Sequence, residues 1–314
     1  MSSTTTATPS SSFFDKHIMV GSGMALQVLA LVFYACVLHV VKQMKKNDSK
    51  IAPFYSIFFW IGVVDCIHCV ALIWMNFESA FLVGPKLMPI THLARTLTCF
   101  CYLVNIIGNG IMAVNRYSAT FSGHMKHFSK FLVSVYLIGT ALVSFVLSIP
   151  AALSMRHYYR VGDDTWTIVV EPMELVKVQR VIIVSLMITY TIVGLVFTLL
   201  AYNRIATFIH SPKYHQSDRT LLVFVMAHMA IHFWMLVFEI AEIFEIDFVV
   251  INFLKQHYFI VFYISTVSNG FFIVLTTARA RKALFKCVCS SIKVSPVPKT
   301  SGSTPNTITV TTRF

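Results

Sequence analysis

Seven long apolar segments constrain this chain more than any other feature of its sequence. A helix that crosses the roughly 30 Å hydrocarbon core of a bilayer needs about 20 mostly apolar residues, because each residue advances the helix by about 1.5 Å. Runs of this length occur at 18–41, 51–75, 93–114, 131–153, 181–202, 220–244 and 258–277. The pattern predicts an all-α polytopic membrane protein, a bundle of seven transmembrane helices.

The composition agrees with a membrane bundle and argues against a soluble enzyme. Charged residues make up 12% of the 314 residues, about half the share of an average soluble domain. The segments between the apolar runs are too short for a second domain. We therefore expect a disordered extracellular N-terminus at 1–17, a bundle with a short amphipathic helix at 18–289, and a disordered Ser/Thr-rich cytoplasmic tail at 290–314. No cleavable signal peptide is expected, since the first apolar segment acts as the anchor.

The distribution of basic residues predicts the orientation of the bundle. The formal net charge is +12. One side of the membrane, made of 42–50, 115–130, 203–219 and the chain after 277, carries 17 basic and two acidic residues. The other side carries eight of each when Arg95, near the outer end of the third segment, is counted with it. Because cytosolic loops carry the excess of Lys and Arg, the N-terminus is expected outside the plasma membrane and the C-terminus inside. The positive charge thus reflects topology, and no nucleic-acid partner is expected.

Polar residues within the apolar segments form narrow stripes at 100° per residue. The stripes consist of Thr98, Tyr102, Asn105, Asn109 and Arg116 in the third segment, His228, His232, Glu239 and Glu242 in the sixth, Asp65, His68 and Cys69 in the second, and Ser265, Ser268 and Asn269 in the seventh. Unpaired polar groups are costly in lipid, so these faces are predicted to meet in the bundle interior. They either line a solvated or ligand-filled cavity or hydrogen-bond one helix to another.

The sequence favours neither a catalytic site nor a metal-binding site. His228 and His232 are four residues apart, a spacing that suits a metal ion with Glu239 nearby, but no H-E-x-x-H motif or fourth ligand accompanies them. Interior hydrogen bonding or pH-sensitive pairing is the preferred interpretation. No enzyme activity, metal or cofactor is expected, and a retinal protein is excluded because 258–277 contains no lysine for a Schiff base.

Three features together carry a family resemblance. The sequence Asn115-Arg116-Tyr117 ends the third segment, Asp65 lies within the second, and the basic amphipathic sequence ARARKALFKCVCSS follows the seventh. In these features the chain resembles the G-protein-coupled receptors. Asn-Arg-Tyr stands where the rhodopsin-like family has Asp/Glu-Arg-Tyr, and Ser268-Asn269-Gly270 stands where it has Asn-Pro-x-x-Tyr. The chain departs from that family in lacking a proline in the sixth segment, a tryptophan in the fourth and a cysteine in 154–180.

The compact length, the sequence NRYSA and the phenylalanine-rich FYSIFFWIGVVDC resemble the nematode serpentine chemoreceptors of the class gamma/V superfamily. This resemblance implies a chemosensory receptor for a small molecule, which signals through a heterotrimeric G protein and has an arrestin-like regulator as a further partner. It also implies that the segment after the seventh helix lies on the bilayer as an eighth helix, with Cys287 and Cys289 palmitoylated.

The resemblance further implies the roles of residues on the cytosolic side and in the interior. Asn115, Arg116 and Tyr117 are expected to couple to the G protein. Asn115 cannot form the ion pair of the usual acidic residue, so a weaker inactive-state restraint that involves Tyr202 or Asp218 is expected. The residues expected to form an intramembrane polar switch are Asp65, Asn269, His228, His232 and Glu239.

A ligand is expected to bind within the bundle, because loops of 13 to 27 residues leave no outer domain to bind it. The candidate pocket residues are Arg95, Thr98, Tyr102, Glu242, Tyr258 and Tyr263. Glu242 suits a cationic group and Arg95 an anionic one, and the sequence leaves both open; Arg95 alternatively extends to the lipid headgroups.

A ligand-gated channel or a small-solute transporter with seven spans is the alternative function. Secondary transporters commonly have internal repeats or paired helices interrupted by Gly and Pro. The sequence shows no repeat, and Pro150 is its single deep interior proline. These observations favour the receptor.

Overall fold

The computed structural model describes residues 13–47, 52–81, 85–122, 129–160, 166–207, 212–244, 246, 248–251 and 258–291. The termini that were expected to be disordered therefore lie mostly outside the described residues. The parts of them that are described, 13–17 and 290–291, are helical, so the helices at both ends of the bundle are longer than the sequence predicts.

The described residues are almost entirely helical. The helices are α1 (Phe13–Asn47), α2 (Ala52–Phe81), α3 (Met88–Ser122), α4 (Lys130–Leu147), α5 (Ile149–Leu153), α6 (Met173–Thr207), α7 (Pro212–Ile243), α8 (Tyr258–Thr276) and α9 (Ala278–Ser291), with a 3₁₀ turn at Pro85–Leu87. Each predicted apolar segment falls on a helix, the fourth on α4 and α5 together. Several helices extend beyond the apolar segments at both ends, because intrahelical hydrogen bonds continue where the side chains become polar.

The chain is a polytopic membrane protein. Five of the described helices contain windows long and apolar enough to cross a membrane, namely Gly21–Lys45, Ala52–Glu78, Pro85–Ser118, Met173–Asn203 and Leu222–Ile243. Two shorter apolar helices, Phe131–Leu147 and Phe262–Thr276, lie in the fourth and seventh predicted segments. Large apolar side chains cover the outward faces of the helices, as with Ile138, Leu142 and Phe145 of α4, which are all more than 60% exposed. An exposed apolar surface of this extent suits lipid rather than water.

One β-hairpin departs from the all-α prediction. Strands β1 (Met155–Arg160) and β2 (Trp166–Glu171) pair antiparallel, with Met155 opposite Glu171 and Arg160 opposite Trp166. Strand β2 lies within the sequence TWTIVVEP, whose β-branched and aromatic residues favour a strand. The hairpin joins α5 to α6 and lies outside the apolar segments.

Helix α3 is central to the bundle and packs against α2, α4, α6 and α7. Small residues allow the closest approaches between helices: a Cβ on Gly270 of α8 would lie 2.5 Å from the Tyr34 ring of α1, and a Cβ on Gly108 of α3 would lie 2.6 Å from Ile61 of α2. Such contacts fix the rotation of each helix and thereby decide which polar side chains meet in the interior.

The two ends of the bundle differ in their side chains. The Arg116 end contains Phe54, Arg116 and Phe224, from the start of α2, the last turns of α3 and the first half of α7. The Arg180 end contains Arg95, Arg180 and Glu242, from the first turns of α3 and α6 and the last turn of α7.

Candidate functional site

Asp65 is the centre of a buried hydrogen-bond network. Its Oδ2 accepts bonds from the hydroxyl of Tyr34 at 2.7 Å and from the amide of Asn269 at 3.0 Å, and its Oδ1 accepts from the amide of Asn105 at 2.7 Å. The carboxyl group is fully buried. Three neutral donors therefore satisfy Asp65, and no lysine, arginine or histidine of the described residues forms an ion pair with it.

The network continues across the bundle through α3. Asn109 donates to Asn105 Oδ1 at 2.8 Å, and its amide nitrogen lies 3.3 Å from His228 Nε2. The other ring nitrogen of His228, Nδ1, lies 3.3 Å from the hydroxyl of Tyr190. The residues Tyr34, Asp65, Asn105, Asn109 and Asn269, which we call the Asp65 network, and the pair His228 and Tyr190 thus connect α1, α2, α3, α6, α7 and α8.

Beside this network lies a histidine–tyrosine cluster, which consists of His68, Tyr102, Tyr190, His228 and His232. The rings of His228 and His232 are 4.4 Å apart, that of Tyr190 is 5.2 Å from His232, and Tyr102 lies 6.4 Å from His232 and 6.3 Å from His68. All five side chains are at least 95% buried. Phe262 of α8 closes the cluster at 4.9 Å from Tyr102.

Several buried nitrogens of this cluster have no hydrogen-bond partner among the described residues. Both ring nitrogens of His232 and the Nε2 of His68 are unpaired, while His68 Nδ1 lies 3.2 Å from Thr266 Oγ1. A buried polar group without a partner costs about 1–3 kcal/mol. Unpaired nitrogens on facing helices indicate a place where water or a polar ligand group binds.

Toward the Arg180 end, the interior becomes charged. Arg180 of α6 donates to Glu242 Oε2 of α7 at 3.0 Å. Glu239 lies one turn deeper, is 3% exposed, and forms no hydrogen bond or ion pair with the described residues. The charged groups that act on it are Arg180 and Glu242. Gln179 beside Arg180 is 7% exposed, and both its side-chain nitrogen and oxygen lack a partner among the described residues.

The structure separates the residues predicted to form the ligand pocket. Tyr102 lies in the histidine–tyrosine cluster, where its hydroxyl lies 3.3 Å from Met187 Sδ, and Glu242 lies at the Arg180 end. Thr98 donates to Ala94 O of its own helix at 2.9 Å. The two remaining described side chains face elsewhere: Arg95 donates to Ser154 O at 2.6 Å, and the Tyr263 hydroxyl donates to Gln27 O of α1.

Tyr258 begins α8, and its side chain lies outside the described part of the structure. The same holds for Cys287 and Cys289, whose backbone lies in α9. Helix α9 follows α8 after the single residue Thr277, and Arg281 donates to the carbonyl oxygens of Val274 and Leu275 at the end of α8.

At the Arg116 end, the Arg116 side chain is buried against an aromatic ring. Its side chain is 4% exposed, its Nη2 donates to Asn115 Oδ1 at 2.7 Å, and its guanidinium lies 4.5 Å from the centre of the Phe54 ring. Tyr117 turns the other way and packs its ring 4.8 Å from Phe197 of α6. The restraint that the sequence predicts on Tyr202 or Asp218 stays a prediction, since Tyr202 is 59% exposed and the Asp218 side chain lies outside the described residues.

A continuous set of rings joins Arg116 to the interior. Phe54 lies 6.4 Å from Phe58 and 6.0 Å from Phe224, and Phe58 lies 5.7 Å from Phe224. Phe224 in turn stacks at 6.3 Å on His228. His228 therefore contacts both the Asp65 network and the aromatic residues that surround Arg116.

The predicted intramembrane switch residues fall in two places. Asp65 and Asn269 belong to the Asp65 network, and His228 connects this network to His232. Glu239 is separate and lies toward the Arg180 end. Within the described residues, no three His, Cys, Asp or Glu side chains are arranged to hold a metal ion.

Sequence reasoning missed Tyr34, Tyr190, Arg180 and the phenylalanines around Arg116. Tyr34 and Tyr190 have no polar residue three or four positions away on their helices, so no stripe marks them. The signal available in the sequence was the phenolic hydroxyl itself, because a tyrosine in mid-membrane needs a hydrogen-bond partner.

The comparisons with known proteins do not assign the chain to a family. No protein-family model matches the chain, and no curated protein matches it.

Proposed function

We propose that the chain is a seven-transmembrane receptor of the G-protein-coupled kind, which binds a small molecule inside the bundle and signals through a heterotrimeric G protein. In this proposal the bundle has seven spans: the five long helices, the α4–α5 pair and α8. The N-terminus and the β-hairpin lie outside the plasma membrane, and the Arg116 end and α9 lie on the cytosolic side. A chemosensory role in a nematode is the narrower form of the proposal and rests on the sequence motifs alone.

The observation that carries the proposal is the set of contacts that joins a polar interior to Arg116. It runs from the unpaired nitrogens of His232 through His228 to Phe224 and Phe54, whose ring lies against the Arg116 guanidinium. A ligand that hydrogen-bonds His232 changes the packing of α7 against α3. Because Phe224 belongs to the same helix, this change reaches the residues around Arg116.

The mechanism is a shift between two packings of the bundle. A ligand shifts such an equilibrium only by its difference in affinity for the two states. In the packing described here Arg116 is buried against Phe54 and bonded to Asn115. In the active packing α7 moves away from α3, the Phe54–Phe224 contact opens, and Arg116 is released to contact the G protein.

The amphipathic α9 supports the cytosolic assignment of that end. It contains four basic residues, Arg279, Arg281, Lys282 and Lys286, and no acidic residue. A basic amphipathic helix next to a membrane span binds the anionic lipids of the inner leaflet. Palmitoylation of Cys287 and Cys289 would add a second anchor.

The experiment is a second-messenger measurement in cells that express the chain together with a panel of G proteins, screened with small molecules. We expect a ligand-evoked response that Arg116→Ala abolishes while surface expression stays normal. Arg116→Lys is the matched control; it keeps the charge but not the planar guanidinium and should retain part of the response. A ligand-gated current that persists in Arg116→Ala with the G proteins inactivated would instead establish the channel or transporter alternative.

A further inference from the structure

We infer that the interior between the histidine–tyrosine cluster and the Arg180 end binds the ammonium group of a small organic amine, with Glu239 as its counter-ion. This inference deepens the proposed function, on which it rests, by naming the ligand class. The sequence leaves open a cationic ligand at Glu242 or an anionic ligand at Arg95; because Glu242 is paired with Arg180, the inference places the cation at Glu239 instead.

The charges of the described residues favour a cation. Glu239 and Glu242 both lie on the interior face of α7, and among the described residues Arg180 is the single cation acting on Glu239. Arg180 is already paired with Glu242 at 3.0 Å, so Glu239 has no ion-pair partner of its own among the described residues. An ionised carboxylate that is 3% exposed and has no ion pair of its own in the described structure is costly, so Glu239 is stabilised either by taking up a proton or by a cation that joins it.

Arg95, the candidate for an anionic ligand, is directed toward the backbone at the end of α5. It donates to Ser154 O at 2.6 Å, at the point where α5 gives way to strand β1. This bond uses one of the five N–H donors of the guanidinium and leaves the positive charge of Arg95 in place. An anionic ligand is therefore the competing outcome that the binding test decides.

Unpaired polar groups supply a second, independent reason to place a ligand here. Glu239 and His232 are seven residues apart on α7 and therefore share a helix face within about 20°. Both nitrogens of His232 lack a partner among the described residues, as do the nitrogen and oxygen of Gln179, whose position on α6 falls within about 20° of Tyr190. His232 lies two turns from Glu239 on the same helix, and Gln179 lies on α6, which packs against that helix.

The surroundings suit an amine with an apolar or aromatic body. Toward the bundle centre the side chains are rings, with Tyr102 between Phe262 at 4.9 Å and His232 at 6.4 Å. A ring or branched alkyl group packs against these faces while its ammonium group, a few carbon atoms away, reaches Glu239. Aromatic faces also attract the cation itself.

The test measures binding to the purified full chain in lipid nanodiscs, without G protein, by the ligand-induced rise in melting temperature over a range of concentrations. The probes are phenethylamine and isoamylamine, each compared with the alcohol of the same carbon skeleton, and phenylacetate as the anion. We expect at least one amine to bind about 30-fold or more tightly than its alcohol, because loss of one member of a buried charge pair is expensive. Phenylacetate should bind more weakly than either.

Two variants test whether Glu239 is the counter-ion of the bound amine. Glu239→Gln keeps the size of the side chain and should abolish the preference for amine over alcohol. Glu174→Gln, which alters an exposed acidic residue in the first turn of α6 at the same end, is the matched control and should leave the preference unchanged. The unliganded melting temperature shows whether Glu239→Gln is folded, and the amine-to-alcohol ratio of the unaltered chain tests the inference even where the variant is unstable.

The inference is overturned if neither amine binds more tightly than its alcohol, if phenylacetate binds more tightly than phenethylamine, or if Glu239→Gln retains the amine preference. These outcomes differ from a failure of the proposed function. Glu239-dependent amine binding with no second-messenger response would contradict the receptor function and still support the amine site. A G-protein response evoked by neutral or anionic ligands alone would support the receptor function and contradict the amine site.

Discussion

At the scale of single residues, Asp65 organises the bundle interior, because three donors from three different helices converge on one carboxyl group. Asp65→Leu would leave Tyr34, Asn105 and Asn269 without this acceptor, and each unpaired buried donor costs about 1–3 kcal/mol. We expect the variant to lose several degrees or more of melting temperature in detergent, or to fail to fold. Asp65→Asn retains an acceptor oxygen and should lose clearly less. Equal stability of the leucine variant would show that the network contributes nothing to folding.

A second residue-scale prediction concerns Asn115. Its Oδ1 accepts from Arg116 at 2.7 Å, and Asn115→Asp would turn this neutral acceptor into a carboxylate. The bond from the Arg116 guanidinium is already charge-assisted, and a carboxylate acceptor would add the attraction of an ion pair to it, so the buried state of Arg116 is stabilised. If the proposed function holds, Asn115→Asp should lower the basal second-messenger level in cells that express the chain. Unchanged basal signalling at equal surface expression would contradict the role of this bond.

At the scale of helices, close packing at glycine decides how α1 and α8 meet. A Cβ at Gly270 would lie 2.5 Å from the Tyr34 ring, which is itself fixed by its hydrogen bond to Asp65. Gly270→Ala is therefore expected to destabilise the protein by about 1–3 kcal/mol, the usual cost of overpacking. At Gly139 of α4, a Cβ would meet no described atom within 4 Å, so Gly139→Ala should be neutral or slightly stabilising. Thermal unfolding of the two variants side by side measures the difference.

The helices and their polar faces follow from the sequence, whereas the pairing of those faces does not. Hydrophobic length alone places the helices, and the stripe through Asn105 and Asn109 marks α3 as central. The choice of partner depends on helix rotation and register, which contacts such as Gly270 against Tyr34 decide only in three dimensions. For this reason the bond from Tyr263 to Gln27 and the Arg180–Glu242 ion pair have no counterpart in any sequence pattern.

At the scale of the whole molecule, coupling between the two ends should depend on Phe224. Its ring contacts Phe54 and Phe58 on one side and His228 on the other. Phe224→Leu keeps an apolar side chain but removes the ring contacts, so we expect ligand affinity within about threefold of normal and a reduced maximal second-messenger response. The expected loss corresponds to a coupling free energy of about 1–3 kcal/mol. An unchanged response would place the coupling elsewhere in the bundle.

The orientation of the whole molecule is open to a direct chemical test. The excess of Lys and Arg predicts that the loop after α1 is cytosolic, so its sequon Asn47-Asp48-Ser49 should carry no glycan. The β1–β2 connection is expected on the outside; Gly162→Asn combined with Asp164→Thr introduces a sequon there. We expect this double variant to gain a glycosidase-sensitive mobility shift in mammalian cells, while the unaltered chain shows none. A shift in the unaltered chain that Asn47→Gln removes would reverse the topology and place Arg116 on the outer side, where no G protein can reach it.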